Sequence, residues 1–297
     1  MSRRLDIMLV ERGLVDSLER AKRLIMAGKV LVDGQKADKP GKFFSVDASI
    51  EIRENTPYVS RGGLKLAKAL RDFDIDVSGK VAIDVGASTG GFTDCLLQHG
   101  AKFVYAVDVG YGQLAWKLRN DPRVKVLERT NIRYVQRSDF SKRIELATVD
   151  VSFISLRKVL PVVATLFNKS GDIIALVKPQ FEAQRHLVEK GGVVKNPEVH
   201  KQVIVELTNF SIRNGFTVSG VTYSPITGPA GNIEYFIYLK LGQKRNNIDV
   251  VNLAPQVIHE AHSTIEKRAS GCEKAKRANR RYHKYPKHIV AVMITSS

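Results

Sequence analysis

The chain has 297 residues, 43% of them apolar, with 47 Lys or Arg against 30 Asp or Glu and a formal charge of +17. That length and apolar content suit one large domain or two smaller ones with a real core, and exclude a disordered polyelectrolyte. The charge points to a polyanionic partner, nucleic acid before an anionic membrane surface. The two cysteines, Cys95 and Cys272, are far apart and form no CxxC pair, so no disulfide framework is expected. His259 and His262 can share a helix face but read as a solvated pair, and no metal site is expected. Asp6 and Glu11 interrupt any signal-peptide core, and no stretch approaches the roughly 18 apolar residues of a spanning helix. A cytoplasmic protein with no membrane partner is the expectation.

The first section, residues 1–57, predicts a small RNA-binding domain. Leu5, Met8, Leu9 and Leu14 mark one short helix, and Asp16 or Ser17 can cap a second whose apolar face is Ala21, Leu24 and Ile25. Lys29 to Gly34 reads as a strand ending in an Asp-Gly turn, Pro40-Gly41 as a turn, and Ala48 to Ile52 as a closing strand. Residues 1–60 hold 11 Lys/Arg against 9 Asp/Glu, so clustering matters more than net charge. Arg20, Lys22, Arg23 and Lys29 lie on or just after the second helix. The pattern Arg4-Leu5-Asp6 … Ser17 … Arg20-Ala21 … Ile25 … Gly28-Lys29-Val30 … Val32-Asp33-Gly34 resembles the S4 domain. The resemblance implies that Arg4, Arg20, Lys22, Arg23 and Lys29 contact folded RNA.

The second section, residues 58–242, alternates strands and helices. Strands are predicted at Lys80–Val85, Phe103–Val109, Ala147–Val151, Asp172–Val177, Gly215–Tyr223 and Asn232–Leu241, with helices at Gly91–His99 and His200–Asn214. Such alternation implies an α/β fold with a mainly parallel sheet covered on both faces. Within it, Asp84-Val85-Gly86-Ala87-Ser88-Thr89-Gly90-Gly91-Phe92 follows a strand and opens a helix. Its glycines allow tight turns and close ligand approach, and free N–H groups at a helix start favour an anionic group. The spacing is neither the dinucleotide fingerprint nor a Walker loop. Asp108 ends the next strand, where a carboxylate can accept from both hydroxyls of a ribose. Arg129-Thr130-Asn131 ends a predicted third strand, where the Asn131 amide could read an adenine edge. Together these features resemble a Rossmann-like methyltransferase, which implies S-adenosylmethionine held by Asp84, Gly86, Ser88, Gly90, Gly91, Phe92, Asp108 and Asn131.

The third section, residues 243–297, predicts one helix over Val250–Ile265 and then nine Lys/Arg against two Glu in residues 266–288. A block of that kind is ordinarily a solvated, disordered tail, with RNA phosphate contact as a secondary role.

Four polar residues stand where a core would not favour them: Lys65 ahead of the first strand, Asp150 and Lys178 at strand ends, and Glu234 opening the last strand. In open α/β sheets the crevice beyond the strands' carboxyl ends receives ligands. The quartet resembles the Lys-Asp-Lys-Glu tetrad of FtsJ-type ribose 2′-O-methyltransferases. With the S4 unit, Ser60-Arg61-Gly62-Gly63-Leu64-Lys65, Val107-Asp108-Val109-Gly110-Tyr111-Gly112-Gln113 and Val177-Lys178-Pro179-Gln180-Phe181-Glu182, the chain is similar to the TlyA family. The similarity covers residues 1–242, and the basic tail departs from it. It implies methylation of cytidine 2′-hydroxyls in ribosomal RNA, with ribosomal subunits as partners.

The chemistry suits these residue types. A ribose hydroxyl is a poor nucleophile until its proton is removed, and methyl transfer from a sulfonium depends largely on positioning. Two lysines held close disfavour each other's charge, which lets one act as a base near neutral pH. On that reading Lys178 is the base, Lys65 and Glu234 tune and orient it, and Asp150 holds it in register. Two other classes compete. A hemolysin, suggested by an old family label, needs a membrane-inserting element. A non-catalytic assembly factor would not need the four residues. No pattern specifies an oligomer.

Overall fold

The computed structural model describes residues 2–12, 14, 15, 17–52, 57–242 and 247–265, with all side chains in these ranges except that of Arg20. The Asp16 cap, Cys272, the basic segment 266–288 and the apolar end after it lie outside the described residues. The chain forms two compact units divided after residue 56.

In the first unit, strand β1 (Ser2–Arg4) leads into helices α1 (Leu5–Glu11) and α2 (Leu18–Met26), followed by β2 (Val30–Val32), β3 (Gln35–Ala37), β4 (Phe43–Ser45) and β5 (Ile50–Ile52). Leu5, Leu9, Ala21, Leu24, Ile25 and Val30 form its buried core. Asp33 and Gly34 have φ of 50° and 79°, the double left-handed turn that closes a two-residue hairpin between β2 and β3. β1, β3 and β4 are too short to carry a periodic signal, and the sequence reading did not anticipate them.

The second unit begins with helix α3 (Gly62–Asp72) and continues through β6 (Val81–Val85), α4 (Gly91–Gln98), β7 (Phe103–Val107), α5 (Trp116–Arg119) and β8 (Val124–Leu127). Then come β9 (Leu146–Val149), α6 (Leu160–Thr165), β10 (Gly171–Val177), α7 (Pro179–Glu182), α8 (Pro197–Arg213), β11 (Phe216–Tyr223) and β12 (Tyr235–Leu241). Residues 250–265 are helical. Asn196 caps α8 by accepting from the Glu198 N–H, with Pro197 in the first turn where its missing donor costs nothing.

The strands form one sheet in the order β11-β12-β10-β9-β6-β7-β8. β10, β9, β6, β7 and β8 are parallel, whereas β12 runs antiparallel between β10 and β11. β6 is buried along its whole length, which explains its unbroken apolar run. Alternate residues of β10 feed two cores: Ile173, Ala175 and Val177 pack on the α8 side with Ile204 and Leu207, and Ile174 and Leu176 pack with Leu66 and Leu96. Strand order reverses at β6. The chain runs outward through β7 and β8 on one side and through β9 and β10 on the other, so a crevice opens at the carboxyl ends of β6 and β9.

Candidate active site

Gly86, directly after β6, has φ +86°, and a Cβ there would stand 2.2 Å from the Asp150 carbonyl oxygen. Only glycine lets the loops after β6 and β9 meet so closely. The N–H groups of Gly86 and Ala87 donate to the Val107 carbonyl at 2.8 and 3.1 Å, fixing the loop against β7. Asp108 accepts from the Ser88 N–H at 2.8 Å and from the Gly110 N–H at 2.6 Å, so its carboxylate is oriented before any ligand arrives. At Gly91 a Cβ would stand 2.2 Å from Ser60 Oγ, which lets α4 start against the entry of α3.

Two cavities open around this loop. One of about 230 Å³ is lined by Lys65, Gly86, Ser88, Gly91, Phe92 and Asp150, among others. One of about 1240 Å³ shares Gly86, Ser88 and Asp150 with it and adds Asp108 and Asn131. The Asn131 side-chain oxygen accepts from the Arg133 N–H at 3.1 Å.

Two expected ligand residues line neither cavity. Asp84 is fully buried and accepts from the Thr93 and Thr148 hydroxyls at 2.7 and 3.0 Å. Burial pushes its carboxyl up to about 7. It braces β6, β9 and α4 beneath the loop. Gly90, at φ +94°, faces protein, because a Cβ there would stand 2.3 Å from the Leu118 side chain. Its glycine serves the turn into α4 and the packing of α5.

The four polar residues converge as two ion pairs. Lys65, on α3, places Nζ 2.5 Å from Glu234 Oε2, with side-chain exposures of 10% and 1%. Lys178, just past β10, places Nζ 2.6 Å from Asp150 Oδ1 and donates to Ser152 Oγ at 2.9 Å. Burial raises the Glu234 carboxyl above its ordinary range. The charges of Lys65 and Lys178 pull it back, and Asp150 pushes it up further, so all four groups interact. The sequence reading placed the decisive electrostatics between two lysines; here each lysine faces a carboxylate. Glu234 precedes β12 instead of opening it. Behind it, His200 bridges the Tyr235 hydroxyl (2.8 Å) and the Val194 carbonyl (2.9 Å), with burial pulling its imidazole down to about 4.

The sequence pattern of the FtsJ-like methyltransferases matches residues 58–241, and that of the S4 domain matches residues 3–50. The chain belongs to the TlyA family of FtsJ-like methyltransferases. It is 46% identical to the 16S/23S rRNA (cytidine-2′-O)-methyltransferase TlyA of Mycobacterium tuberculosis, across 80% of this chain and 89% of that protein. It is also 42% identical to Hemolysin A of Brachyspira hyodysenteriae, across 79% of this chain and 98% of that one. A solved structure of a candidate hemolysin from Streptococcus thermophilus is 43% identical and superposes with a TM-score of 0.72, covering 91% of this chain and 98% of the other.

This TlyA-family site contains residues that sequence reasoning passed over. Phe153 has φ +61° and is 91% exposed at the edge of the larger cavity, with its ring 5.1 Å from that of Phe181. Nothing in the run Val151-Ser152-Phe153-Ile154 distinguishes it from a core aromatic; only a non-glycine residue at positive φ, invisible in the sequence, marks it. Arg133, which lines the larger cavity, lies 5.4 Å over the Tyr134 ring, and Arg129 lies 4.1 Å over the Tyr111 ring.

In the S4 unit, Lys22 and Arg23 are exposed on α2 and Lys29 is half-buried. The Arg20 side chain lies outside the described residues. Arg4 also has a partner within the unit. Its guanidinium holds the buried Asp6 carboxylate through two hydrogen bonds of 2.7 and 3.1 Å, and that ion pair lowers the Asp6 carboxyl below its ordinary range. The Arg4 side chain keeps 43% of its surface exposed beside this pair.

Proposed function

We propose that this chain transfers a methyl group from S-adenosylmethionine to the 2′-hydroxyl of cytidine in ribosomal RNA, in the cytoplasm. The observation that carries the reading is the Lys178–Asp150 pair standing beside a glycine loop and against a buried Lys65–Glu234 pair. The cavities fit the donor. Asp108 can accept from the ribose hydroxyls, the Asn131 amide can meet the adenine edge, and the backbone around Ser88 and Gly91 can take a carboxylate. When bound, S-adenosylmethionine supplies an electrophilic methyl on a sulfonium. The chain's own residues do the rest. Lys178 Nζ, held by Asp150 and Ser152, is the group proposed to take the proton of the ribose hydroxyl, and Asp150 keeps that nitrogen in register. Lys65 and Glu234 orient this pair from below. Phe153, exposed beside Asp150, offers a stacking face to an unpaired base.

Mapping 2′-O-methyl cytidines in ribosomal RNA from cells with and without the chain tests this directly. A site that vanishes without it and returns with it supports the proposal; identical maps overturn it. The hemolysin reading rests on relatives' names, and among the described residues no helix is long and apolar enough to cross a membrane.

Two variants probe the binding sites. Asp108→Ala should weaken S-adenosylmethionine by about tenfold or more in calorimetry, because a pre-oriented carboxylate contributes on the order of 1.5–3 kcal/mol. Unchanged cofactor affinity would remove Asp108 from the site. Lys22→Ala with Arg23→Ala should weaken RNA and lower the slope of log K against log salt by about 1–2, since fewer counterions are released. A double variant that tracks wild type across the salt titration would show that α2 does not carry the contact.

A further inference from the structure

The segments that follow β9 and β10 are joined by the Phe153–Phe181 ring contact and by two polar ties. Lys178 makes the first tie, to Asp150 and Ser152. Glu182, at the end of α7, makes the second by reaching back to the same loop. Its Oε2 accepts from the Ser155 hydroxyl at 2.7 Å and its Oε1 from the Leu156 N–H at 2.6 Å. Between these anchor points stands Phe153, at φ +61° and 91% exposed. A bulky residue keeps a left-handed backbone only where its neighbours fix it. The ring meets Phe181 at 5.1 Å but is otherwise exposed, so ties to the backbone on either side add to what fixes it. Burial pushes the Glu182 carboxyl above its ordinary range, and the two hydrogen bonds and the Arg157 charge pull it back. A half-buried carboxylate still loses hydration unless its acceptors are used, and both of these are used on one loop.

We propose that Glu182 is a positioning residue for methyl transfer. It holds the 150–156 loop in the conformation that presents Phe153 to the acceptor nucleoside. The inference rests on the RNA-methylating function proposed above, and it assigns Glu182 a part that a mere fold-stabilising contact would not play.

The test is single-turnover transfer of labelled methyl from S-adenosylmethionine to ribosomal RNA by the full chain. Cofactor affinity is measured separately by calorimetry, and the variants are Glu182→Ala, Glu182→Gln, Ser155→Ala, Phe153→Ala and Glu182→Ala with Phe153→Ala. Glu182→Ala should slow transfer by about tenfold or more while cofactor affinity stays within about twofold. Glu182→Gln should stay within about threefold of wild type, because the amide can still accept from Leu156 and can donate to Ser155. If Glu182 acts through Phe153, the double variant should be no slower than Phe153→Ala alone, whereas independent roles multiply. Should Glu182→Ala fail to fold, Ser155→Ala, which removes a single hydroxyl, must show a smaller loss, and Ser155→Ala combined with Phe153→Ala must be no slower than Phe153→Ala alone. Multiplying losses, or a Glu182→Ala rate equal to wild type, would overturn the inference. A wild-type chain that methylates no RNA would remove the proposed function, and the inference with it.

Discussion

Lys178→Arg is expected to abolish methyl transfer, lowering the single-turnover rate by about 10³-fold or more, while RNA and cofactor affinities remain near wild type. The guanidinium can keep the ion pair with Asp150, but it stays protonated and cannot take the hydroxyl's proton. Lys178→Ala should fail as completely. It also leaves Asp150 without its cation, so the arginine variant is the cleaner test of base against charge. Glu234→Gln, by contrast, should slow transfer without ending it, because the Lys65 ammonium keeps an oxygen acceptor. A Lys178→Arg enzyme running near the wild-type rate would make Lys178 a positioning charge, and the proton would have to leave by Lys65, Asp150 or water.

The second large effect is expected at Gly86. Valine there must place its Cβ where the Asp150 carbonyl oxygen lies 2.2 Å away, at a φ of +86° that a β-branched residue avoids. The loops after β6 and β9 cannot both keep their places, so the crevice should open and cofactor binding should fall below detection. Stability should drop by about 2–4 kcal/mol, the scale of severe backbone strain and core disruption. Thermal melting and calorimetry check the two effects. Gly90→Val offers a contrast: its Cβ meets flexible leucine side chains, so stability should suffer more than the cofactor site itself. Cofactor affinity equal to wild type in Gly86→Val would show that the close loop approach is not required.

Much of this architecture was legible before any coordinates. The strands around Val81–Val85, Phe103–Val107 and Gly171–Val177 announce themselves by length and apolar continuity, and the glycine loop by its position between a strand and a helix. The antiparallel placement of β12 was not legible, because pairing partners leave no trace in one strand's own pattern. Convergence of Lys65 on Glu234 follows from topology rather than from spacing. Asp84 and Asp108 look alike as acidic strand ends, yet one is sealed under Thr93 and Thr148 while the other faces the larger cavity. Only tertiary burial separates a bracing carboxylate from one that can meet a ligand. The Arg4–Asp6 pair was hidden for a similar reason: the two sit two positions apart, but nothing in the sequence says that Asp6 is buried.

The position of β12 also bears on when activity can arise. The last strand of the sheet enters between β10 and β11 as an interior strand, and the residue just before it partners a lysine 169 positions earlier. Such a contact has a high loop-closure cost and forms slowly. At ribosomal speeds of about 5–20 residues per second, a growing chain waits on the order of 10–30 s between making Lys65 and making its carboxylate. A product that stops before Glu234 lacks both an interior strand and that partner, so the site cannot assemble until the chain has been made through Leu241.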